Sequence, residues 1–271
     1  MTMKQANIAI IAHVYYADLW PELSRCIANV RKVVGKVDIY ITVPEKVDER
    51  IVLNVHSLFP SAEIMRLPNR GFDVGPFIYV LKRIRLDAYE YVFKLHTKRN
   101  RFGIVNFWPF FGGSWRRSLL SFCATPTCIM RTLDIFKECP YVGMVGPGVL
   151  MLNPTNELVG RFSVSGPKDV KSDVSCDWCF IAGTMFAVRA NILAHITQRF
   201  SFESFPLMVG GSHDNGLAHE VEREFGHEVY RQGFRIESFP KRPLLFSASF
   251  RFRRAIYGAL CSCLRLIVKT V

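Results

Sequence analysis

The sequence predicts a doubly wound α/β fold, a mixed and mainly parallel sheet flanked by helices. Short apolar runs rich in β-branched residues occur at 7–14, 37–43, 62–68 and 89–97. Between them lie stretches of about 10 to 15 residues with apolar side chains at helical spacing. The chain has 271 residues, of which 49% are hydrophobic, and a mean hydropathy of +0.15. That is enough apolar material for one large core or two modest ones, and it excludes a disordered chain.

The elements follow in order. NIAIIAHV at 7–14 suits a strand buried on both faces. A helix is expected over 21–35: Pro21 and Glu22 open it, Leu23, Ile27, Val30 and Val34 make its apolar stripe, and Gly35 ends it. VDIYITV at 37–43 is the second strand. A helix near 46–59 is closed by Pro60, and AEIMRLP at 62–68 is the third strand. Pro76 to Arg85 reads as a helix with Ile78, Leu81 and Ile84 on one side, and YEYVFKLHT at 89–97 as a strand whose far end turns polar.

The second half is less regular. Helices are expected at 116–123, 126–138 and 190–198, and strands at 141–147 and 179–189. A Gly/Pro/Ser-rich loop falls near 160–175. The last helix is expected at 214–225, with Asp214 as its N-cap and Gly226 as its stop. No repeat or clear linker interrupts the chain, so a single domain over 1–240 is expected, followed by a tail at 241–271.

Charge is unevenly placed. Lys94, Lys98, Arg99, Arg101, Arg116 and Arg117 lie in 94–117, and seven cations lie in 241–271, with no Asp or Glu in either window. Against a net charge of +12, everything else sums to −1. Two local basic segments argue for an anion site and a separate basic tail, and against a general nucleic-acid binder. Eight cysteines are too few for a disulfide-stapled secreted domain. Cys176-x-x-Cys179 has no second pair at zinc-ligand spacing, so buried reduced thiols in a cytoplasmic protein are expected. No apolar run of about 18 to 20 residues suggests a membrane span. The tail instead alternates cations with bulky apolar residues, as a basic amphipathic helix on an anionic membrane surface would, or a closing helix packed on the domain.

Two stretches carry the chemistry. In open α/β sheets ligands bind beyond the carboxyl ends of strands, and PNRGFDVGPF at 68–77 directly follows the third strand. There Gly71 and Gly75 permit close backbone approach, Asp73 can accept from a ribose or base, and Arg70 can meet a phosphate, unless the segment is an ordinary turn. In YVFKLHTKRN at 91–100, Lys94, His96 and Lys98 alternate, which puts them on one face as a buried strand runs out. A lysine within an apolar strand demands an anion or a carboxylate partner.

PNRGFDVGPF, VFKLHTKRN, IAGTMFAVR and HDNGLAHEVEREFG, with the opening AHVYYADLWPEL and DIYIT, together resemble the rhamnan synthesis protein F family over roughly residues 7–230. The resemblance implies a polysaccharide-building glycosyltransferase with a GT-A-like, Rossmann-related fold: a nucleotide-binding half over 1–100 and an acceptor or catalytic half over 101–240. dTDP-L-rhamnose is the first expectation for the donor and a UDP-sugar such as UDP-galactofuranose the alternative. A lipid-linked glycan at the inner face of the plasma membrane is the expected acceptor for a surface polysaccharide such as O-antigen.

By the same resemblance, His13, Tyr15 and Tyr16, Asn69 to Gly75, and Lys94, His96, Thr97 and Lys98 frame the donor. Ala182, Gly183 and Thr184 form the floor under the sugars, with Trp115, Arg116 and His219 on the acceptor side. Many GT-A enzymes carry an Asp-x-Asp metal motif where this chain has Lys94-Leu95-His96-Thr97-Lys98. No cofactor is therefore expected: cations are expected to do the work of Mg²⁺ or Mn²⁺, with Asp73 the lone carboxylate that could still ligate one. His213-Asp214 sits where inverting relatives present an acidic pair before a helix, making Asp214 the candidate base, or else a helix cap. Glu222 is read as solvated. A non-catalytic nucleotide-sugar or glycan-binding scaffold is the alternative function.

Overall fold

The structure is a computed structural model that describes residues 3–99, 114–154, 178–208 and 216–240. Strands β1 (Met3–His13), β2 (Val34–Pro44) and β3 (Glu63–Leu67) alternate with helices α1 (Trp20–Val33), α2 (Glu49–Leu58) and α3 (Val74–Leu81), and β4 (Tyr91–His96) follows. Next come α4 (Ser114–Leu119), α5 (Pro126–Glu138), β5 (Val142–Gly146) and the short β6 (Met151–Leu152) and β7 (Phe180–Ile181). The described order ends with β8 (Phe186–Arg189), α6 (Leu193–Arg199), α7 (Leu217–Arg231) and β9 (Arg235–Ser238).

Seven strands form one sheet in the order β3-β2-β1-β4-β8-β5-β9, while β6 and β7 pair separately. Within the large sheet β8 is antiparallel to both neighbours and every other pairing is parallel, so the sheet is mixed and mainly parallel as the sequence predicts. Alternation along β1 builds two cores: Ile8, Ile10 and Ala12 join side chains of α1, α2 and α5, whereas Ala9 and Ile11 join those of α3, α6 and α7. From β1 the chain winds outward through β2 to β3, and α3 then returns it to β4 on the other side of β1. The carboxyl ends of β1 and β4 meet at this reversal of winding, with His13 opposite His96.

Several expectations change, among them the first helix, which ends at Val33 so that Val34 and Gly35 open β2, and the helix expected at 190–198, which begins as a 3-10 turn at Ala190–Ile192. The strand expected at 179–189 is two strands in different sheets, because Gly183 (φ 82°) and Thr184 (φ 52°) turn the backbone left-handed between β7 and β8. The last helix starts at Leu217, with Gly216 and not Asp214 at its cap position, and runs through Gly226 to Arg231. Gly226 does not stop the helix but lets it touch β7: a Cβ there would lie 2.2 Å from the Cys179 carbonyl oxygen. The helix expected at 116–123 is α4 followed by a separate 3-10 turn at Ser121–Cys123. The helix expected from Pro76 begins two residues earlier, at Val74, and ends at Leu81.

Cys26, Cys123 and Cys179 are buried free thiols, and burial pushes the Cys179 thiol up to about 12, which makes it a packing residue. Cys176, the loop near 160–175 and the tail at 241–271 lie outside the described residues. Among those described, no helix is long and apolar enough to cross a membrane.

Candidate functional site

Strand β4 is buried along its whole length, so the chemistry at its end starts from a desolvation problem. Lys94 is only 1% exposed, and period-two alternation turns it with His96 toward the face where α3 packs. An ammonium in that position requires a partner, and Asp73 supplies it: Lys94 Nζ lies 2.5 Å from Asp73 Oδ2. Lys94 also donates to Thr184 Oγ1 at 2.8 Å, and that hydroxyl donates to Asp73 Oδ2 at 2.5 Å. The closed triangle of Asp73, Lys94 and Thr184 ties three sequence-distant segments together: the β3–α3 loop, β4 and the β7–β8 turn.

Burial opposes the charge on Asp73, yet the Lys94 and Lys98 cations around it hold its carboxyl well below the usual range. Burial also lowers Lys94, while Asp73 draws it back up. His96 Nδ1 lies 3.4 Å from Asp73 Oδ2, but burial holds the imidazole well below its ordinary value and therefore neutral. His13 is pushed down to about 4 by burial, and its Nδ1 lies 2.9 Å from the Thr42 hydroxyl. His13 Nε2 and both ring nitrogens of His96 are buried with no hydrogen-bond partner among the described residues.

The loops that frame this triangle are fixed by the backbone. Thr97 Oγ1 accepts from the Tyr15 and Tyr16 amides at 3.0 and 2.9 Å, so the end of β4 shapes the turn after β1. Gly71 (φ 61°) and Phe72 (φ 54°) bend the β3–α3 loop left-handed. A Cβ on Gly71 would come within 2.4 Å of the Phe205 ring, and one on Gly75 within 2.2 Å of the Arg70 carbonyl oxygen. The loop is pinned to residues 205–208: Arg70 Nη1 donates to Phe205 O at 2.7 Å and Met208 N donates to Asn69 O at 2.8 Å. Backbone bent left-handed at non-glycine residues persists only where its surroundings enforce it, and both such residues described, Phe72 and Thr184, adjoin the triangle.

The residues expected around the donor, His13, Tyr15, Asn69 to Gly75, Lys94, His96 and Thr97, lie at or just past the carboxyl ends of β1, β3 and β4. Lys98 is half-buried just past β4. Lys94 is engaged with Asp73, and Arg70 with the Phe205 carbonyl oxygen. Arg116 on α4 pairs with Glu22 of α1 at 2.5 Å. Ala182 donates to Leu150 O at 2.8 Å, and Gly183 lies against Leu119 of α4. His219 is exposed on α7, edge-on to the Phe72 ring at 6.4 Å between centroids. Trp115 belongs to α4, and His213 and Asp214 lie outside the described residues.

Glu222 is the correction at the site. Instead of being solvated, it reaches from α7 to the β7–β8 turn, where Oε1 accepts from Gly183 N at 2.5 Å. Burial raises its carboxyl, while Lys98 and the Gly183 amide pull it back. Its sequence signal was its place beside the buried stripe of Ala218, Val221, Phe225 and Val229, one turn from both Ala218 and Gly226. Among the described residues no group of three or more His, Cys, Asp and Glu side chains is arranged to hold a metal ion.

The model of a family described as Rhamnan synthesis protein F matches residues 1–234. A protein named "Uncharacterized protein WxcX" from Xanthomonas campestris pv. campestris strain B100 is 28% identical over 182 residues, covering 65% of this chain and 25% of that protein. The chain thus spans about a quarter of the length of the curated relatives it matches. Among solved structures, S. aureus TarS 1-349 in complex with UDP is similar at 11% identity and a TM-score of 0.47, over 87% of this chain and 58% of that one. 4-diphosphocytidyl-2C-methyl-D-erythritol synthase from Anaerococcus prevotii is similar at 13% identity and a TM-score of 0.42, over 93% of this chain and 96% of that one.

Proposed function

We propose, from the premise that the chain belongs to the rhamnan synthesis protein F family, that it is a GT-A-like glycosyltransferase moving a sugar from a nucleotide donor to a growing surface glycan. The donor assigned is dTDP-L-rhamnose and the acceptor a lipid-linked glycan. The enzyme works at the cytoplasmic face of the plasma membrane, with the basic tail at 241–271 on its anionic surface. The observation that carries this reading is the Asp73–Lys94–Thr184 triangle. It holds two left-handed turns at the winding reversal of the sheet, where α/β folds bind ligands.

The reaction is a direct displacement. Asp214 takes the proton of the acceptor hydroxyl as its oxygen attacks the anomeric carbon, and the nucleoside diphosphate leaves with the bonding pair. Lys98, past the end of β4, meets the departing charge, while Lys94 holds Asp73 in place. His13 and His96, both neutral, offer ring nitrogens to the donor in the same crevice. Mg²⁺ or Mn²⁺ does not fit the donor set at the end of β4, where the one carboxylate of the β3–α3 loop carries an ammonium and a hydroxyl on the same oxygen.

A thermal-shift panel of dTDP, UDP, GDP and their sugars, with and without EDTA, tests the donor and the metal together. Stabilisation by dTDP-L-rhamnose that survives EDTA is expected, and a response confined to UDP-sugars would reassign the donor to a sugar such as UDP-galactofuranose. Asp214→Asn is expected to abolish transfer while leaving nucleotide binding nearly intact, and undiminished transfer removes Asp214 from the mechanism. The mutual neutralisation of Lys94 and Asp73 favours a second reading, a non-catalytic nucleotide-sugar or glycan-binding scaffold. Binding without any hydrolysis of a nucleotide sugar would establish that alternative.

A further inference from the structure

The β7–β8 turn presents a problem that its own residues do not solve. Thr184 is a β-branched residue at φ 52°, and Gly183 stands at φ 82°. Side chains rarely adopt this backbone, so something outside the turn has to hold it. Thr184 Oγ1 must also be placed finely enough to accept from Lys94 and donate to Asp73 at once. Besides the Lys94 and Asp73 contacts to the Thr184 hydroxyl, the turn's backbone is held from outside by Glu222 Oε1 on the Gly183 amide, made by a helix that is itself locked to β7 where Gly226 sits against the Cys179 and Phe180 backbone.

We propose that Glu222 is a positioning residue of the transfer site: by accepting from the Gly183 amide it fixes the left-handed Gly183–Thr184 turn, and through the Thr184 hydroxyl it sets the Asp73–Lys94 pair at the end of β4. The inference rests on the glycosyltransferase reading for its kinetic consequence but not for its structural one. A hydrogen-bond acceptor performs this task and a negative charge is not required, so the amide oxygen of glutamine suffices. Helix α7 then couples the acceptor half of the molecule to the donor crevice. Misplacing a site by about 1 Å can cost on the order of a hundredfold in rate, which makes such a grip worth maintaining.

The test uses the full chain and two variants, Glu222→Gln and Glu222→Ala, read in two ways. Hydrogen exchange over residues 178–190 needs no activity: Glu222→Ala is expected to raise exchange there, with Glu222→Gln protected like the parent. Turnover of dTDP-L-rhamnose, by transfer or by slow hydrolysis, is expected to fall about ten- to a hundredfold in Glu222→Ala, mainly in kcat, and to recover in Glu222→Gln. Unchanged exchange in Glu222→Ala overturns the proposal whatever the kinetics. Loss of turnover in Glu222→Gln with parental exchange also overturns it, because the carboxylate would then act as an acid or base. Parental protein inactive on every nucleotide sugar defeats the glycosyltransferase reading, while the exchange result still decides whether Glu222 holds the turn.

Discussion

Removing the Asp73 carboxylate leaves the buried Lys94 ammonium without its paired anion, with the Thr184 hydroxyl and the Phe77 ring, 5.3 Å away, to stabilise it. Breaking a buried pair from one side costs about 3 to 5 kcal/mol, so Asp73→Ala is expected to lower the unfolding free energy by that order in a denaturant titration. The double variant Asp73→Ala with Lys94→Met removes both charges and is expected to recover a large part of the loss, which a double-mutant cycle reads directly. The neighbouring histidines set the acid limb of stability. His13 stands at about 4 in the folded protein against 6.5 when free, so between those values the unfolded chain binds a proton that the folded chain refuses. Stability therefore rises with pH from 4 to 6.5, by about 3 kcal/mol for His13 alone, and His96 adds in the same direction. His13→Asn is expected to flatten that slope in urea titrations across this pH range, and an unchanged slope would show that His13 is not buried neutral. At this scale the sequence showed that Lys94 needed an anion, because lysine in an apolar strand has few alternatives. It did not show that the anion is Asp73 of the same chain, 21 residues away, since the pairing depends on how α3 returns the chain to β4.

Glycine at an element boundary has two uses, and local sequence does not separate them. Gly226 follows an apolar helical pattern as a stop signal would, yet it lies inside α7 because the helix backbone touches β7. Gly226→Ala gains about 1 kcal/mol of helix propensity, but the added methyl meets the Cys179 carbonyl and the Phe180 backbone, which cannot rotate away. The net effect expected is a loss of about 1 to 3 kcal/mol with a matching fall in Tm, measured by thermal unfolding. An ordinary terminus behaves differently: Asp48 caps α2 by accepting from the Arg50 amide at 2.9 Å, and Asp48→Ala is expected to lower Tm modestly through loss of that cap. The strand expected at 179–189 failed for a related reason. Its apolar residues satisfy both halves, and only the separate partners of β7 and β8 show that the chain changes sheets at Gly183.

Over the whole molecule the charge is unevenly placed. Within the described residues, Lys94 of β4, Arg99 just past it and Arg116 of α4 are paired with carboxylates from other segments, Asp73, Asp18 and Glu22 in turn. The seven cations of 241–271 have no acidic residue within that segment. A chain ending at residue 240 is expected to keep the unfolding temperature and nucleotide response of the full chain while losing co-sedimentation with phosphatidylglycerol vesicles. Equal vesicle binding by the two chains would remove the tail from the membrane contact.

The first four strands and the helices between them were legible in the sequence alone, and the residues it singled out for the proposed site follow β3 and end β4. Each of these elements depends on periodicity within some ten residues, and burial of one face imposes that periodicity locally. The tertiary structure alone decided that Lys94 answers to Asp73 and Thr184, that Glu222 grips Gly183, and that Gly226 continues a helix. These contacts join residues 21 to 111 positions apart, and their energies come from desolvation and close packing. Both act only once the segments have been brought together.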